Sequence, residues 1–360
     1  MADAVAEQIA ALKDEDWAIR EEAAIALGTF RDPRAVAPLV SLLRDTDRAV
    51  RQAAIGALTA IGEPSVPVLG LCLSDSQPGV QEAASSVLSL IADERVLAPL
   101  ISALGSSDWI VRMNAAKALG RIRDARAIDP LVPLLQDRVK AVREEASMAL
   151  AEIGDAALPS LLEALRHTDW LVRLHAVEAL GKSRSADAVE PLLWALFNDQ
   201  DQAVREDVVR ALGQLADGRA MEFLVTAMRE PGLRPLAVEA LGQIGDRRAV
   251  PVLIAIVEGS DRPVVTRSVA GCGDSWDEEM ETKGAAVRAL GSLGDDAAIP
   301  TLLKALNHTV TRTDAAAALV RFGNKVIPQL LTIMTQTSDD NVRFHVKDVL
   351  ARVGWRAGRV

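Results

Sequence analysis

The sequence predicts an all-α fold, an α-α superhelix of about ten full helix–turn–helix repeats with a half-repeat at each end. Two observations predict it. A leucine column recurs along the chain in steps of 29 to 32 residues, with one longer step of 49. Apolar residues make up 49% of the chain and aromatic residues only 3%, so Ala, Leu, Val and Ile dominate, which suits close helix packing.

The repeat unit is defined by two columns that share one register. The leucine column comprises Leu27, Leu58, Leu88, Leu119, Leu150, Leu180, Leu212, Leu241, Leu290, Leu319 and Leu350. Seven residues earlier, nine of the eleven units carry arginine and a tenth carries lysine. We call seven of these positions the arginine ladder: Arg20, Arg51, Arg112, Arg143, Arg173, Arg205 and Arg343.

Each unit is predicted to begin with an amphipathic helix. Within residues 108–120, apolar side chains such as Val111, Ala115 and Leu119 fall on one helical face. Asp108 is a capping residue for the first turn, and Gly120 is predicted to help end the helix.

A second helix is predicted after a short connection. Its marker is a proline found in nine of ten comparable places, with Phe223 as the exception. Proline is tolerated in the first turn of a helix, where its missing N–H has no partner to lose. The proline therefore predicts that the second helix begins just upstream.

The two ends of the chain fit the same scheme. Residues 4–14 align with a second helix and residues 339–354 with a first helix. We therefore predict that residues 1–360 form a single solenoid whose stacked repeats share a continuous core. The register is interrupted once, by an insertion at 259–282 in the ninth full repeat.

Composition limits the possible functions. The net charge of −10 disfavours nucleic-acid binding, since such proteins usually carry a basic surplus. Two cysteines, Cys72 and Cys272, provide neither a disulfide framework nor zinc spacing. The common nucleotide, hydrolase and metalloprotease motifs are absent, so we expect no cofactor or metal and disfavour an enzyme. Lacking signal-peptide features and a membrane-length apolar run, the sequence predicts a cytoplasmic protein with no membrane partner.

The repeat resembles a known family. The motif D-x-x-V-R-x-x-A-A-x-A-L-G followed by D-x-R-A-x-x-P-L, at residues 108–120 and 124–131, resembles the short HEAT-like repeats of the phycobilisome-lyase class. The resemblance covers nearly the whole chain and implies a HEAT-like solenoid. Its lyase members imply attachment or detachment of bilins on light-harvesting proteins, while other relatives imply scaffolding, DNA repair or iron-dependent hydroxylation. The His-Glu pairs of the hydroxylases are absent here.

The arginine ladder has two interpretations. A line of arginines can bind phosphates or the propionates of a bilin. The structural interpretation is favoured, because an aspartate four residues before most of them can cap the helix while the arginine bridges back to it or to the neighbouring repeat. The four histidines (His167, His175, His308 and His345) are interpreted as ordinary surface residues.

Tryptophans are candidates for partner contacts. On one second helix, Glu190, Trp194 and Asn198 share a face, and the HEAT-like resemblance places second helices along a concave binding surface. A buried Trp194 that fills a local gap is the slightly favoured alternative. Trp17, Trp109 and Trp170 share a first-helix column, where they either anchor a partner or staple the helix start to the preceding repeat. Stapling is favoured for that column.

The insertion at 259–282 has three interpretations: a partner contact, a tolerated loop, or a thiol or metal site. Ser275 and Glu278 have capping-box spacing, which predicts a helix that restarts early, over residues 276–291, after a loop at 259–274. Cys272, Asp274 and Trp276 are the candidate contact residues.

Two functions from different classes therefore remain open, and a third is weaker. The first is a non-enzymatic scaffold that binds another protein along the second-helix face, with the insertion as an added contact. The second is a bilin lyase or a chromophore-handling protein, whose partner is a bilin or a bilin-carrying protein. A DNA-binding HEAT-like protein is the third, and the acidic charge disfavours it.

Overall fold

The computed structural model describes residues 2–91, 94–230, 232–260 and 274–355. These residues form α-helices and short 3-10 helices, and no β-strand occurs among them. The predicted all-α solenoid of about ten helix pairs is confirmed. The chain divides into two compact units, unit 1 (Met1–Ser183) and unit 2 (Arg184–Val360).

Unit 1 contains six first helices and six second helices among its described residues. The first helices are α2 (Trp17–Phe30), α4 (Arg48–Ile61), α6 (Pro78–Ile91), α8 (Trp109–Ile122), α10 (Lys140–Ile153) and α12 (Trp170–Ser183). The second helices are α1 (Ala2–Ala11), α3 (Val36–Ser41), α5 (Val66–Cys72), α7 (Leu97–Ala103), α9 (Ile128–Leu131) and α11 (Leu158–Ala164). Its 3-10 helices are Pro33–Ala35, Leu42–Arg44, Glu63–Ser65, Glu94–Val96, Ala125–Ala127, Val132–Gln136 and Gly154–Ala157.

Unit 2 continues the same alternation. Its first helices are α14 (Gln202–Leu215), α16 (Arg234–Ile244), α18 (Asp274–Leu293), α20 (Arg312–Val320) and α22 (Asp340–Arg352). Its second helices are α13 (Val189–Asn198), α15 (Met221–Ala227), α17 (Val250–Glu258), α19 (Ile299–Ala305) and α21 (Ile327–Gln336). Its 3-10 helices are Ala186–Ala188, Gly218–Ala220, Arg247–Ala249, Asp296–Ala298 and Gly323–Val326.

Aspartate side chains cap the starts of first helices, as the sequence predicts. Asp108 Oδ1 accepts a hydrogen bond from the Ile110 N–H at 2.9 Å, and Asp16 Oδ1 accepts one from the Ala18 N–H at the same distance. Each cap satisfies an N–H that has no partner within the helix and contributes about 1 kcal/mol to stability.

The leucine column is the centre of the core. Each of its eleven leucines is at most 2% exposed. Alanines and valines of the same helices are buried beside them, for example Val111, Ala115 and Ala118 of α8. Full burial of a leucine contributes about 2 kcal/mol through the hydrophobic effect, so the column stabilises every repeat interface within each unit.

The prediction that Gly120 helps end its helix is wrong. α8 continues to Ile122, and its C-cap is Arg123 in the left-handed conformation, with φ 59°. A Cβ on Gly120 would lie 2.7 Å from Cα of Ala149 in α10. Glycine is needed here because α8 and α10 approach too closely for any side chain.

The recurring prolines mark the starts of second helices, and this prediction is confirmed. Pro67 is the second residue of α5, and Pro38 and Pro191 are the third residues of α3 and α13. In each case a 3-10 helix leads directly into the α-helix. The proline therefore occupies the first turn, where its missing N–H leaves no hydrogen bond unmade.

The repeat resumes after the insertion with a longer first helix. α18 spans 20 residues, whereas α2, α4 and α8 span 14 each. The early helix start is confirmed, although α18 begins at Asp274, two residues before the predicted Trp276. Leu290 is fully buried in the leucine column, so the register is restored in α18.

Among the described helices, none is individually long and apolar enough to cross a bilayer. One pair, Arg48–Ile61 with Glu63–Cys72, meets the length and composition requirement together but is bent by 117°.

Candidate protein-binding surface

Helix α13 presents Trp194 to solvent. The buried side of the helix is filled by Leu192, Leu193 and Leu196, which are at most 4% exposed. Trp194 lies on the other side and is 62% exposed, and Glu190 is exposed as well. The interpretation of Trp194 as a buried gap filler is therefore wrong, because the leucines already occupy the space inside.

Asn198 is also exposed, and its side chain closes the end of α13. Its Nδ2 donates a hydrogen bond to the Trp194 carbonyl at 2.7 Å. The next residue, Asp199, donates its N–H to the Ala195 carbonyl at 2.9 Å. Asn198 thus satisfies a carbonyl in the last helical turn, which fixes the backbone that carries Trp194.

Two phenylalanines extend the exposed apolar surface. Phe197 follows Trp194 by three residues on α13 and is 42% exposed. Phe223 of α15 is 43% exposed, and its ring centroid lies 6.3 Å from that of Phe197, with an interplanar angle of 50°. We call Trp194, Phe197 and Phe223 the aromatic patch. The patch covers two consecutive second helices of unit 2, in a geometry typical of favourable ring contacts.

Sequence reasoning missed both phenylalanines as site residues. The available signal was Phe223 itself, since it stands where nine other units have proline. Phe223 is a large aromatic residue at a position where the other units have proline, and it is exposed beside Phe197. The core does not require an aromatic residue at this position.

Arg219 holds the two helices of the patch at a fixed spacing. Its Nη2 donates to Asp217 Oδ2 at 2.8 Å and to the Ala186 carbonyl at 2.7 Å, so it joins the 3-10 helices that precede α13 and α15. The hydrogen bond with Asp217, together with the charge of Glu190, raises the pKa of Arg219 above its usual value. The aromatic patch is therefore preorganised and has charged groups beside it.

The insertion residues are only partly within the described structure. Cys272 lies outside the described residues. Asp274 and Trp276 are in the first turns of α18, and their side chains are likewise outside the description. Glu278, in the next turn, accepts a hydrogen bond from the Gly232 N–H at 2.9 Å. That bond attaches the extended start of α18 to the loop before α16.

The sequence matches the family profile of HEAT repeats over residues 5–89, 66–151, 128–193, 189–271 and 275–354. The chain belongs to the HEAT-repeat family. No match to this HEAT-repeat protein was found among the curated proteins.

Solved karyopherin structures have the same fold. Yeast importin-β (Kap95p) is similar with a TM-score of 0.59 at 15% identity, over 98% of this chain and 57% of that one. Kap121p bound to Nup53p is similar with a TM-score of 0.60 at 14% identity, over 98% of this chain and 45% of that one. This HEAT-repeat protein thus spans about half the length of these karyopherins.

In this HEAT-repeat protein, the arginine ladder connects consecutive repeats. Arg112 Nε and Nη2 donate to the two carboxylate oxygens of Asp137 at 2.7 and 2.9 Å. Its Nη1 donates to the Ser106 carbonyl at 2.7 Å. Arg20 contacts Asp45 in the same way, and that hydrogen bond lowers the pKa of Asp45. In both cases the ion-pair partner lies 25 residues later in the chain.

The remaining ladder members share one contact: each donates to the carbonyl six residues earlier, at 2.7 to 2.9 Å. The donor and acceptor pairs are Arg51 with Asp45, Arg143 with Asp137, Arg173 with His167, Arg205 with Asp199, and Arg343 with Thr337. These guanidinium groups therefore stabilise the turn between a second helix and the next first helix.

The interpretation of His175 as a surface residue is wrong. Its side chain is 5% exposed, and its Nε2 accepts a hydrogen bond from Arg143 Nε at 3.1 Å. Because arginine can only donate, Nε2 carries no proton, and the Nδ1–H donates to Glu178 Oε2 at 3.1 Å. His175 is thus a buried link between α10 and α12. No three His, Cys, Asp or Glu side chains of the described ranges are arranged to hold a metal ion.

The other tryptophan column is exposed. Trp17, Trp109 and Trp170 are the first residues of α2, α8 and α12, and their exposed fractions are 49%, 41% and 41%. They occur on separate repeats, and the first helix between Trp109 and Trp170 begins with Lys140 instead. The three side chains therefore do not form a continuous patch comparable with that of α13 and α15.

Proposed function

We propose that this HEAT-repeat protein is a non-enzymatic scaffold that binds another protein through the second-helix face of unit 2. The observation that carries the proposal is the aromatic patch. Trp194, Phe197 and Phe223 are exposed together on adjacent helices, at positions where the other repeats have non-aromatic residues. Exposed apolar clusters with charged neighbours are typical of protein interaction sites.

The size of the patch defines what the partner must supply. At exposures of 62%, 42% and 43%, the three side chains offer about 300 Å² for burial, taking about 200–250 Å² for each whole residue. Burying that area contributes about 8 kcal/mol before association costs of about 4–15 kcal/mol are subtracted. The partner therefore needs an apolar anchor for the patch and further contacts around it.

The fold supports a protein partner in general terms. Among the similar structures, Kap121p is described as bound to Nup53p in one and to the C-terminus of the phosphatase Cdc14p in another. These are properties of Kap121p. We extend only the general mode to this chain: a protein segment lying against exposed helix faces of a rigid repeat array.

The insertion at 259–282 adds a second contact in this proposal. Asp274, Trp276 and Cys272 are its candidate contact residues, because loops on rigid scaffolds often carry binding groups. Deleting residues 266–273, which lie before α18, together with Asp274→Ala and Trp276→Ala, tests this contribution. Unchanged affinity for a captured peptide would remove the insertion from the binding site.

Selection from a phage-displayed random peptide library tests the main proposal. The full-length protein is the bait, and the variant with Trp194→Ala, Phe197→Ala and Phe223→Pro is the counter-selection bait. Leu71→Ala is the matched control, since Leu71 of α5 is 78% exposed but lies on a second helix of unit 1. We expect peptides with apolar anchors that bind the protein and the Leu71→Ala control but not the triple variant. Enriched peptides that bind the triple variant equally well would refute the patch as the binding site.

Bilin handling is the second candidate, and the resemblance of the repeat motif to the phycobilisome-lyase class favours it. Mixing the purified protein with free phycocyanobilin and recording the visible spectrum tests it. A shift in absorption that saturates at a fixed ratio of bilin to protein would refute the pure scaffold function. An unchanged spectrum with saturable peptide binding would support the scaffold.

A further inference from the structure

A polar groove lies on the first-helix side of unit 1, well separated in sequence from the aromatic patch. It is formed by α4, α6 and α8 and has a volume of about 340 Å³. Its charged and polar lining residues include Arg51, Gln52, Glu82, Ser86, Lys117 and Arg121. We call it the cationic groove.

The groove exists because α6 has small side chains between two helices with larger ones. Gly79, Ala83 and Ser86 line it from α6. On α8, Lys117 and Arg121 are four residues apart and therefore share one helical face, which borders the groove. The packing of α4, α6 and α8 thus creates a cavity, and its α8 wall carries Lys117 and Arg121 side by side.

The cations of the groove make no salt bridge with a carboxylate among the described residues. No ion pair within the described part of the chain involves Lys117 or Arg121, although most other lysines and arginines of unit 1 make one or donate to backbone carbonyls. Arg51 donates through Nη1 to the carbonyls of Asp45 and Thr46, and its Nε and Nη2 have no acceptor among the described residues. Donors are therefore available from three side chains.

The balance of charge in the groove opposes that of the protein. Three cations and a single carboxylate, Glu82, line it, whereas the whole chain carries a net charge of −10. Burial raises the pKa of Glu145 on the neighbouring helix α10, and the charges of Lys117 and Arg121 act against that shift. The lining residues alone carry a surplus of about two positive charges, which Glu145 reduces to about one, and a phosphomonoester supplies the opposite charge of about −1.5 to −2 at neutral pH.

We propose that the cationic groove binds a phosphorylated serine or threonine of a partner peptide. Arg51, Lys117 and Arg121 provide charge-assisted hydrogen bonds to the phosphate oxygens, and the Ser86 hydroxyl and the Gln52 amide add neutral donors. The volume suits one phosphorylated side chain with its neighbours and is too small for a nucleic-acid duplex. This site is independent of the aromatic patch and of the scaffold proposal.

Fluorescence anisotropy with a labelled degenerate peptide pool tests the site. The pool has a central phosphoserine, and its counterpart has serine. The groove variant is Lys117→Gln with Arg121→Gln, and the control variant is Lys13→Gln with Lys140→Gln, which removes the same charge from exposed positions elsewhere in unit 1. Far-UV circular dichroism of both variants confirms that the helices are intact.

We expect the phosphorylated pool to bind about tenfold or more tightly than the serine pool, and the groove variant to lose that difference. The control variant is expected to retain it within about twofold. Equal binding of both pools, or equal losses in the groove and control variants, would overturn the proposal. So would a glutamate-rich peptide or single-stranded DNA that competes as strongly as the phosphorylated pool, since the groove would then select general negative charge.

Discussion

Replacing glycine by alanine is expected to have opposite effects at two positions of unit 1. Gly56 lies inside α4 and Gly120 inside α8. At Gly56, no neighbouring heavy atom of the described residues lies within 4 Å of the place where a Cβ would be. At Gly120, the Cβ would lie 2.7 Å from Cα of Ala149 and 2.9 Å from Oε2 of Glu152. The two substitutions therefore differ only in what the added methyl group meets.

The magnitudes follow from helix propensity and packing. Alanine is more favourable than glycine inside a helix by about 1 kcal/mol, so Gly56→Ala is expected to raise the free energy of unfolding by about 0.5–1 kcal/mol. Gly120→Ala gains the same amount but forces α8 and α10 apart, and such overpacking costs about 1–3 kcal/mol. We expect a net loss of about 1–2 kcal/mol, because backbone atoms of Ala149 cannot move aside as a flexible side chain can.

Urea unfolding of the full chain, followed by far-UV circular dichroism, measures both effects. Since repeat arrays do not always unfold in two states, the midpoints are compared first, and hydrogen exchange of the α8 and α10 amides locates the change. Gly56→Ala should unfold at higher urea than the parent protein and Gly120→Ala at lower urea. Stabilisation by Gly120→Ala would refute the close approach of the two helices as the reason for glycine.

Three further predictions concern single side chains. Arg112→Gln is expected to cost about 2–3 kcal/mol and Arg51→Gln about 1 kcal/mol in urea unfolding, because only Arg112 adds a bidentate ion pair to its carbonyl bonds; equal losses would contradict this. Burial raises the pKa of Glu178, but hydrogen bonds from His175 and Lys182 outweigh it and lower the pKa to about 2. Its ionised form therefore stabilises the fold above pH ~4.5, and this stabilisation is lost as the pH falls towards 2. Glu178→Gln should remove about 2 kcal/mol of stability at pH 7 and flatten the pH dependence of stability below pH 5. Thermal unfolding measured across this pH range tests both effects. Phe223→Pro should leave the free energy of unfolding within about 0.5 kcal/mol of the parent value in urea unfolding, because nine other units have proline there; a larger loss would show that Phe223 is a core residue.

Much of the fold can be predicted from the sequence because the repeat rests on local signals. Aspartate caps such as Asp108 act within their own helix, and prolines such as Pro38 restrict their own first turn. The leucine column reports burial directly, because the same position meets the same neighbours in every unit. These signals require no knowledge of how helices cross.

The predictions that the structure contradicts depend on contacts between residues of different helices. Gly120 has the appearance of a helix end, and only the distance to α10 reveals its packing role. His175 lies in a column that mixes polar residues such as Glu22 with apolar ones such as Leu236, so its position does not report burial, and its hydrogen bond with Arg143 joins it to the preceding repeat. For Arg112 the sequence left two partners open, the aspartate four residues earlier or one in the neighbouring repeat, and the structure shows the second, Asp137.

The candidate site was predicted only in part for the same reason. Trp194 stood out because tryptophan is rare in its column, and Phe223 was recognised only as a missing proline. Their common surface depends on the lateral spacing of α13 and α15, which Arg219 fixes through the Ala186 carbonyl. That spacing is a property of two stacked repeats and is not visible in the periodicity of either.

The central claim is that the aromatic patch binds a protein segment, and isothermal titration calorimetry of the tightest selected peptide tests it most directly. The parent protein is compared with Phe223→Pro and with the exposed control Leu71→Ala. We predict that Phe223→Pro weakens the affinity by about tenfold or more, as expected for an aromatic anchor, while Leu71→Ala leaves it unchanged. Equal affinities of the parent and Phe223→Pro proteins for this peptide would contradict the account.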